Sequence, residues 1–266
     1  MGRRTTLRTK TAGTMVLGAL TAGALAATDA GAAPTANATC ISAFGLGSGG
    51  NCTSNLTSIA IAIGNGASAH ADGLFGTAFS IGDAAFAGSY GWLGSATALG
   101  NQSSATASYL GIAIDIGSSD AEAYGGSANI AANLFGDGTN LLSLGSGDLA
   151  VNVGNNNLVQ AKGLLSSAIN LFGQSSQVST SSSSVASAGF NVFGSGNQAL
   201  VGAGPLAVAG AIFQPGIVVT RSDPGFNING FASPGSAAVR PASARTAKPA
   251  AGAKPARAAA ARSAKR

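Results

Sequence analysis

The sequence predicts an all-β solenoid, a parallel β-helix or β-roll of about eight or nine coils with a basic tail behind it. Three observations carry this. A short apolar segment ends in glycine eight times between Ser58 and Gly194, at Gly64, Gly82, Gly100, Gly117, Gly136, Gly154, Gly173 and Gly194. The steps between those glycines are 18, 18, 17, 19, 18, 19 and 21 residues. Within a step, residues alternate strictly, as side chains do on a strand.

The first copy shows the unit. Ile59 to Ile63 alternates large and small apolar residues and stops at Gly64. Ala67 to Ala71 then alternates small and polar residues and stops near Gly73. One repeat is therefore two short strands and two bends, with glycine supplying the backbone angles of the bends. The second strand recurs five and seven residues after the anchor glycine: Ala69 and Ala71, Ala105 and Ala107, Val159 and Ala161, Val178 and Thr180, Ala199 and Val201. The fourth copy is read one residue early, at Ala121 and Ala123, and the second copy two early, at Ala85 and Ala87. The fifth copy, from Asp137 to Gly147, departs most, and Ser181 to Ser184 read as an inserted loop. The bulky residue before each anchor glycine is expected to point inward and stack. Asn133, Asn170 and Asn191 share one position, which predicts an asparagine ladder. Forty glycines argue against helix, since each costs a helix about 1 kcal/mol relative to alanine.

Around this core the chain divides into segments. Residues 1–32 read as an export signal: Arg3, Arg4, Arg8 and Lys10 precede an apolar run, and Ala30-Gly31-Ala32 fits a cleavage site. The Arg3-Arg4 pair leaves the general and twin-arginine routes both open. Residues 33–57 hold the two cysteines, Cys40 and Cys52. In an exported chain these read as a disulfide-closed cap on the first coil, worth about 3 kcal/mol on the chain-entropy account. The coils occupy 58–220, with Ala207 to Phe213 a ninth rung and Ile217 to Thr220 a closing strand. Residues 221–235 read as a linker. Residues 236–266 read as a disordered basic tail.

Charge is strongly polarised along the chain. From Asp72 to Asp223 there are eight acids against Lys162 and Arg221, a net of 2 − 8 = −6. The tail carries eight cations and no acid: Arg240, Arg245, Lys248, Lys254, Arg257, Arg262, Lys265 and Arg266. Such a segment attracts polyanions through charge and binds less as salt rises. Sulfated glycans, anionic cell-envelope polymers and lipid head groups at a membrane surface are the expected partners, with nucleic acid ranked last.

Catalytic groupings are sparse. His70, the only histidine, falls on an outward position of a second strand, with no serine, cysteine or carboxylate at motif spacing. Asp115, Asp120 and Glu122 form the densest acidic group and read as a solvated edge. Trp92 and Tyr90 read as rung or edge packing. No cofactor, metal or catalytic residue is assigned. The leading expectation is a non-enzymatic, secreted or wall-attached, adhesin-like or structural protein. The alternatives are a polysaccharide-acting β-helix enzyme and a nucleic-acid binder acting through the tail.

Two resemblances add to this reading. Ser58-Ile-Ala-Ile-Ala-Ile-Gly64 followed by Ala67-Ser68-Ala69 resembles the head repeats of trimeric autotransporter adhesins. That implies left-handed β-rolls and a homotrimer, although the period here is longer and no stalk or membrane barrel follows. The composition as a whole, with the Cys40–Cys52 segment, resembles the Gly/Ala/Asn-rich exported proteins of mycobacteria and their relatives. The Lys-Pro-Ala-Ala-Gly-Ala-Lys-Pro-Ala-Arg run is similar to the basic tails of mycobacterial heparin-binding adhesins and histone-like proteins.

Overall fold

Two parallel sheets run the length of a single solenoid of about ten turns. The computed structural model describes residues 39–48, 51–123, 127–235 and 237–241, and no helix occurs among them. The first sheet, A, is built from the strand ahead of each anchor glycine. Its rungs include Ile59–Ile63, Thr77–Ile81, Ser95–Leu99, Leu149–Val153, Ser167–Leu171, Ala188–Val192 and Ala207–Ile212. The second sheet, B, is built from the strand after it, with rungs such as Ser68–Ala71, Phe86–Tyr90, Leu158–Ala161 and Gln198–Val201. Two long strands, Ile112–Ala123 and Ile130–Ser143, run through the corner and serve both sheets. At about 4.8 Å per rung the rod is roughly 45 Å long.

Register is regular from end to end. Ile59 pairs with Thr77, Thr77 with Ser95, Ser95 with Ile112, Ile112 with Ile130 and Ile130 with Leu149. In sheet B the second copy lies on schedule, since Ala69 pairs with Ala87 and Ala71 with Ser89. The offset read at Ala85 and Ala87 is thereby corrected. The fifth copy is also in step, with Leu141 opposite Val159 and both fully buried. Only the fourth is displaced, with Ala121 opposite Ala105.

Alternation in sheet A has the opposite sense from the one expected. The small residues are inside: Ala60, Ala62, Ala78, Ala96, Ala98, Ala113, Ala131, Ala150 and Ala168 are buried. The large ones are outside. Of the residues ahead of the anchor glycines, Ile63, Ile81, Phe135, Phe172 and Phe193 are exposed, and Leu99, Ile116 and Val153 are half-buried. The reason is the width of the coil. Two four- or five-residue strands joined by tight bends bring the sheets too close for an isoleucine between them. Such a core gains little per residue, about 0.8 kcal/mol for each buried methyl-sized group. Its hydrogen bonds therefore matter more than its hydrophobic area.

The corner glycines show how tightly the coils are stacked. Gly64, Gly82, Gly100 and Gly117 have φ between 137° and 143°, and a Cβ on any of them would collide with the carbonyl of the glycine one coil on. A side chain is excluded there by strain and by space.

Both ends are closed by a strand running against the coils. Thr39–Ala43 pairs antiparallel with Ile59–Ile63, and the Cys40–Cys52 disulfide ties this cap to the first rung of sheet B. At the far end the segment read as a linker completes the rod. Gly225–Ile228 adds a parallel rung to sheet A, and Ala237–Pro241 closes sheet B antiparallel to Ile217–Arg221. Arg221, fully buried, donates to the backbone carbonyls of Asp223, Ser233, Pro224 and Pro234 and so fixes the closing turns. The tail read as disordered from Ser236 thus begins with an ordered strand. Residues 1–32, read as a signal, lie outside the described residues.

Candidate functional site: an apolar sheet face and a buried amide row

The outer face of sheet A is the most distinctive surface of the rod. Because alanine takes the inward positions, the outward ones carry the bulk: Ile59, Ile61 and Ile63, then Phe79 and Ile81, through Ile112, Ile114 and Ile116, to Leu149, Val151 and Val153. It continues through Ile169 and Leu171 to Val192, Val208 and Ile212, all half-buried. Three outward positions per rung over ten rungs give roughly 600 Å² of flat surface. Thr77, Ser95, Thr97 and Ser167 interrupt it, so its apolar part lies within the range of patches found on monomers.

The bends on both sides extend this face. Ahead of the A strands stands a column of residues with positive φ, large and apolar at Phe75, Leu93, Leu110, Leu165 and Leu206 and small at Ala128, Gly147 and Ala186. The amides of Leu93, Leu110, Leu165 and Leu206 donate to backbone carbonyls of the coil before, those of Leu74, Trp92, Ser146 and Val185, and the Phe75 amide donates to the Thr57 hydroxyl. Trp92, read as packing, stands exposed in this corner beside Leu93. Behind the A strands stand Phe135, Phe172, Phe193 and Phe213. Sheet B differs. Its outward positions are more mixed, with His70, Gln160, Gln177, Ser179 and Gln198 among Phe86, Leu158 and Leu200. His70 faces outward and hydrogen bonds Thr53 at 2.8 Å.

Inside sheet A lies a row of asparagines. Asn191 donates to Asn170, Asn170 to Asn152 and Asn152 to Asn133, each at 2.7 Å, and all four are fully buried. The row ends where Asn133 donates to Oδ1 of Asp115, also at 2.7 Å. The amide nitrogens of Asn133, Asn152, Asn170 and Asn191 also reach corner carbonyls, those of Gly136, Gly154, Gly173 and Gly194. Asn157 and Asn197 join from the far side of the same corner, donating to Asn152 and Asn191. Buried polar groups are tolerated when satisfied, and here they are. The ladder read from Asn133, Asn170 and Asn191 is present, and Asn152 belongs to it.

Asp115 is not a solvated edge. It is fully buried, and burial pushes its carboxyl up to about 6, against hydrogen bonds from Asn133, Ser104 and Ser119 that hold it lower. Asp120 is exposed, and its charge adds a smaller upward push on Asp115. Burial likewise raises Asp148, which accepts a hydrogen bond from the Ser166 amide. No group of three or more His, Cys, Asp or Glu placed to hold a metal ion occurs among the described residues. Arg240 is exposed on the closing strand, whereas Arg245, Lys248, Lys254, Arg257, Arg262, Lys265 and Arg266 lie outside the described residues.

Comparison with family models, curated proteins and solved structures finds no match to this chain.

Proposed function

We propose that this chain is a non-enzymatic, exported structural or adhesin-like rod that associates with further copies of itself through the outer face of sheet A. The carrying observation is that face: largely apolar along about ten turns, with a polar break at Ser95 and Thr97. Two such faces meeting would bury roughly 1,200 Å² or more once the corner columns join, which reaches the size of a stable interface. Side chains in register at a fixed rung spacing are complementary to a second set with the same spacing. A lipid surface fits less well. Cations that attract anionic lipid are few here, Lys162, Arg221 and Arg240 among the described residues, and Arg221 is buried. The basic segment beyond Pro241 is read as the part that engages sulfated glycans or anionic envelope polymers.

Two experiments test this. Sedimentation of the full chain should show a dimer or trimer that becomes monomeric in a Val151→Lys, Ile169→Lys variant, since both side chains face outward. A parent that sediments as a monomer and floats with vesicles would replace self-association by membrane contact. Cutting after Pro241, which keeps the closing strand, should abolish retention on a heparin column and leave the β spectrum unchanged. Retention at moderate salt by the truncated chain would move the anion site onto the coils.

A further inference from the structure

The phenylalanine column behind sheet A has a missing member. In four coils an extra residue with φ near 55° sits between the A strand and the corner: Phe135, Phe172, Phe193 and Phe213. The insertion is visible in the pairing, where Ile116 is opposite Leu134 but Gly117 is opposite Gly136, so that Phe135 is looped out. Where consecutive coils carry it, the rings stack: Phe172 on Phe193 at 4.9 Å and 10°, Phe193 on Phe213 at 5.1 Å and 1°. The coil between Phe135 and Phe172 lacks the insertion, since Val153 is followed directly by Gly154. Val153 pairs with Leu134 on one side and Leu171 on the other, so Phe135 and Phe172 stand two rungs apart.

Two rungs are about 10 Å. Between the two rings lies an open pocket of about 380 Å³ with Val153, Gly154 and Gly173 on its floor side and Asn155 and Gln174 at its edge. The exposures fit a stack with a gap. Phe193, covered on both faces, is 50% exposed, Phe172 59%, Phe213 68% and the isolated Phe135 74%. The Oδ1 of Asn155 accepts from the Asp137 amide, and its two N–H donors have no hydrogen-bond partner among the described residues.

We propose that this gap is a binding slot for one planar aromatic ring, which takes the place of the absent phenylalanine and stacks on Phe135 and Phe172. The ladder sets the specification. A ring one rung from each wall repeats the spacing that Phe172, Phe193 and Phe213 already adopt, and offset stacking is favourable at such centroid separations. The carboxamides of Asn155 and Gln174 offer hydrogen bonds to a polar group on the ring edge. Apolar walls with a few polar groups are the usual makeup of a small-molecule site. The slot lies in a corner column that borders the proposed self-association face, so the test is run on the Val151→Lys, Ile169→Lys chain as well, in which no second copy covers it.

The test uses the full chain with phenol and indole as probes and methyl glucopyranoside as a non-aromatic control, read by ligand-observed saturation-transfer NMR. Phenol should bind saturably, with a millimolar dissociation constant, about what a ligand of so few atoms reaches. Phe135→Ala and Phe172→Ala should each weaken it about tenfold, as loss of one stacking partner implies. Phe213→Ala, at the far end of the ladder, should leave it unchanged. Inserting a phenylalanine after Val153 should complete the column and abolish binding. Absence of saturable phenol or indole binding, equal binding in the Phe135→Ala and parent chains, or preference for the glucoside would each overturn the proposal.

Discussion

The two halves of the rod solve the same packing problem with different chemistry. In the first coils the deepest column of sheet A is Ala62, Ser80 and Ala98, and the corner is a bare glycine with φ near 140°. In the later coils that column is Asn133, Asn152, Asn170 and Asn191, and three of the four corners take an extra phenylalanine. The first half is held by close approach of small groups. The second has room for a carboxamide and fills it with a continuous hydrogen-bonded row. Asp115 marks the junction, as the acceptor at the end of the row. An interior of small side chains tolerates small polar changes, while a connected polar interior does not.

That contrast can be broken most severely at the centre of the row. Asn170→Asp would set a carboxylate oxygen against the Oδ1 of Asn152, with no cation near. The expected loss is several kcal/mol, read as a fall in the urea midpoint followed by circular dichroism. Ala98→Ser, at the matching position of the first half, should cost no more than about 1 kcal/mol. Equal losses at the two sites would mean that the halves do not differ in the way described.

The junction gives a pH test. The folded-state value of Asp115, about 6, lies above that of an unfolded aspartate. The folded chain therefore holds this proton more tightly. Stability should rise as pH falls through about 6 toward 4, and be lost again as pH climbs to 7. Asp148 is shifted in the same direction and adds to the trend. Asp115→Asn should remove most of the slope. A parent chain whose thermal midpoint falls steadily between pH 7 and pH 5 would contradict this account.

A smaller effect separates the outside of the corner from the inside. Phe172 is exposed, so Phe172→Ser should cost only about 1 kcal/mol, the worth of one stacked pair. A loss as large as that of Asn170→Asp would restore the inward placement expected from sequence. The least change is expected at Ser80, whose buried hydroxyl has no hydrogen-bond partner. Ser80→Ala should be neutral or stabilising by a fraction of a kcal/mol, measurable by the same melts.

These residues also show how far the sequence could be read. The period and the two-strand coil were legible, because anchor glycines recur wherever coils touch backbone to backbone. The polarity of sheet A was not. Alternation states that Ile61 and Ala60 lie on opposite faces, but the spacing between the sheets decides which face is inside. Asn152 escaped notice for a related reason. Asn133, Asn170 and Asn191 precede their glycines by three residues, and Asn152 precedes Gly154 by two because its coil lacks the phenylalanine. Asp115, two before Gly117, was displaced from its column by the same count. The apolar outer face was present in plain alternation and became a candidate surface only when the isoleucines proved to be outside.

The closing strands have a consequence for how copies of this rod can be arranged. A solenoid with open ends could polymerise end to end, each terminal rung templating the next monomer. Here the first rung of sheet A meets Thr39–Ala43, its last rung meets Phe231–Ala232, and the last rung of sheet B meets Ala237–Pro241, all in the reverse direction. The last strand carries Arg240 and Pro241 on its free side of the sequence, residue types that discourage further strand addition. Length is thus a fixed property of one molecule, like the length of a stave. Any larger object built from it gains girth rather than reach.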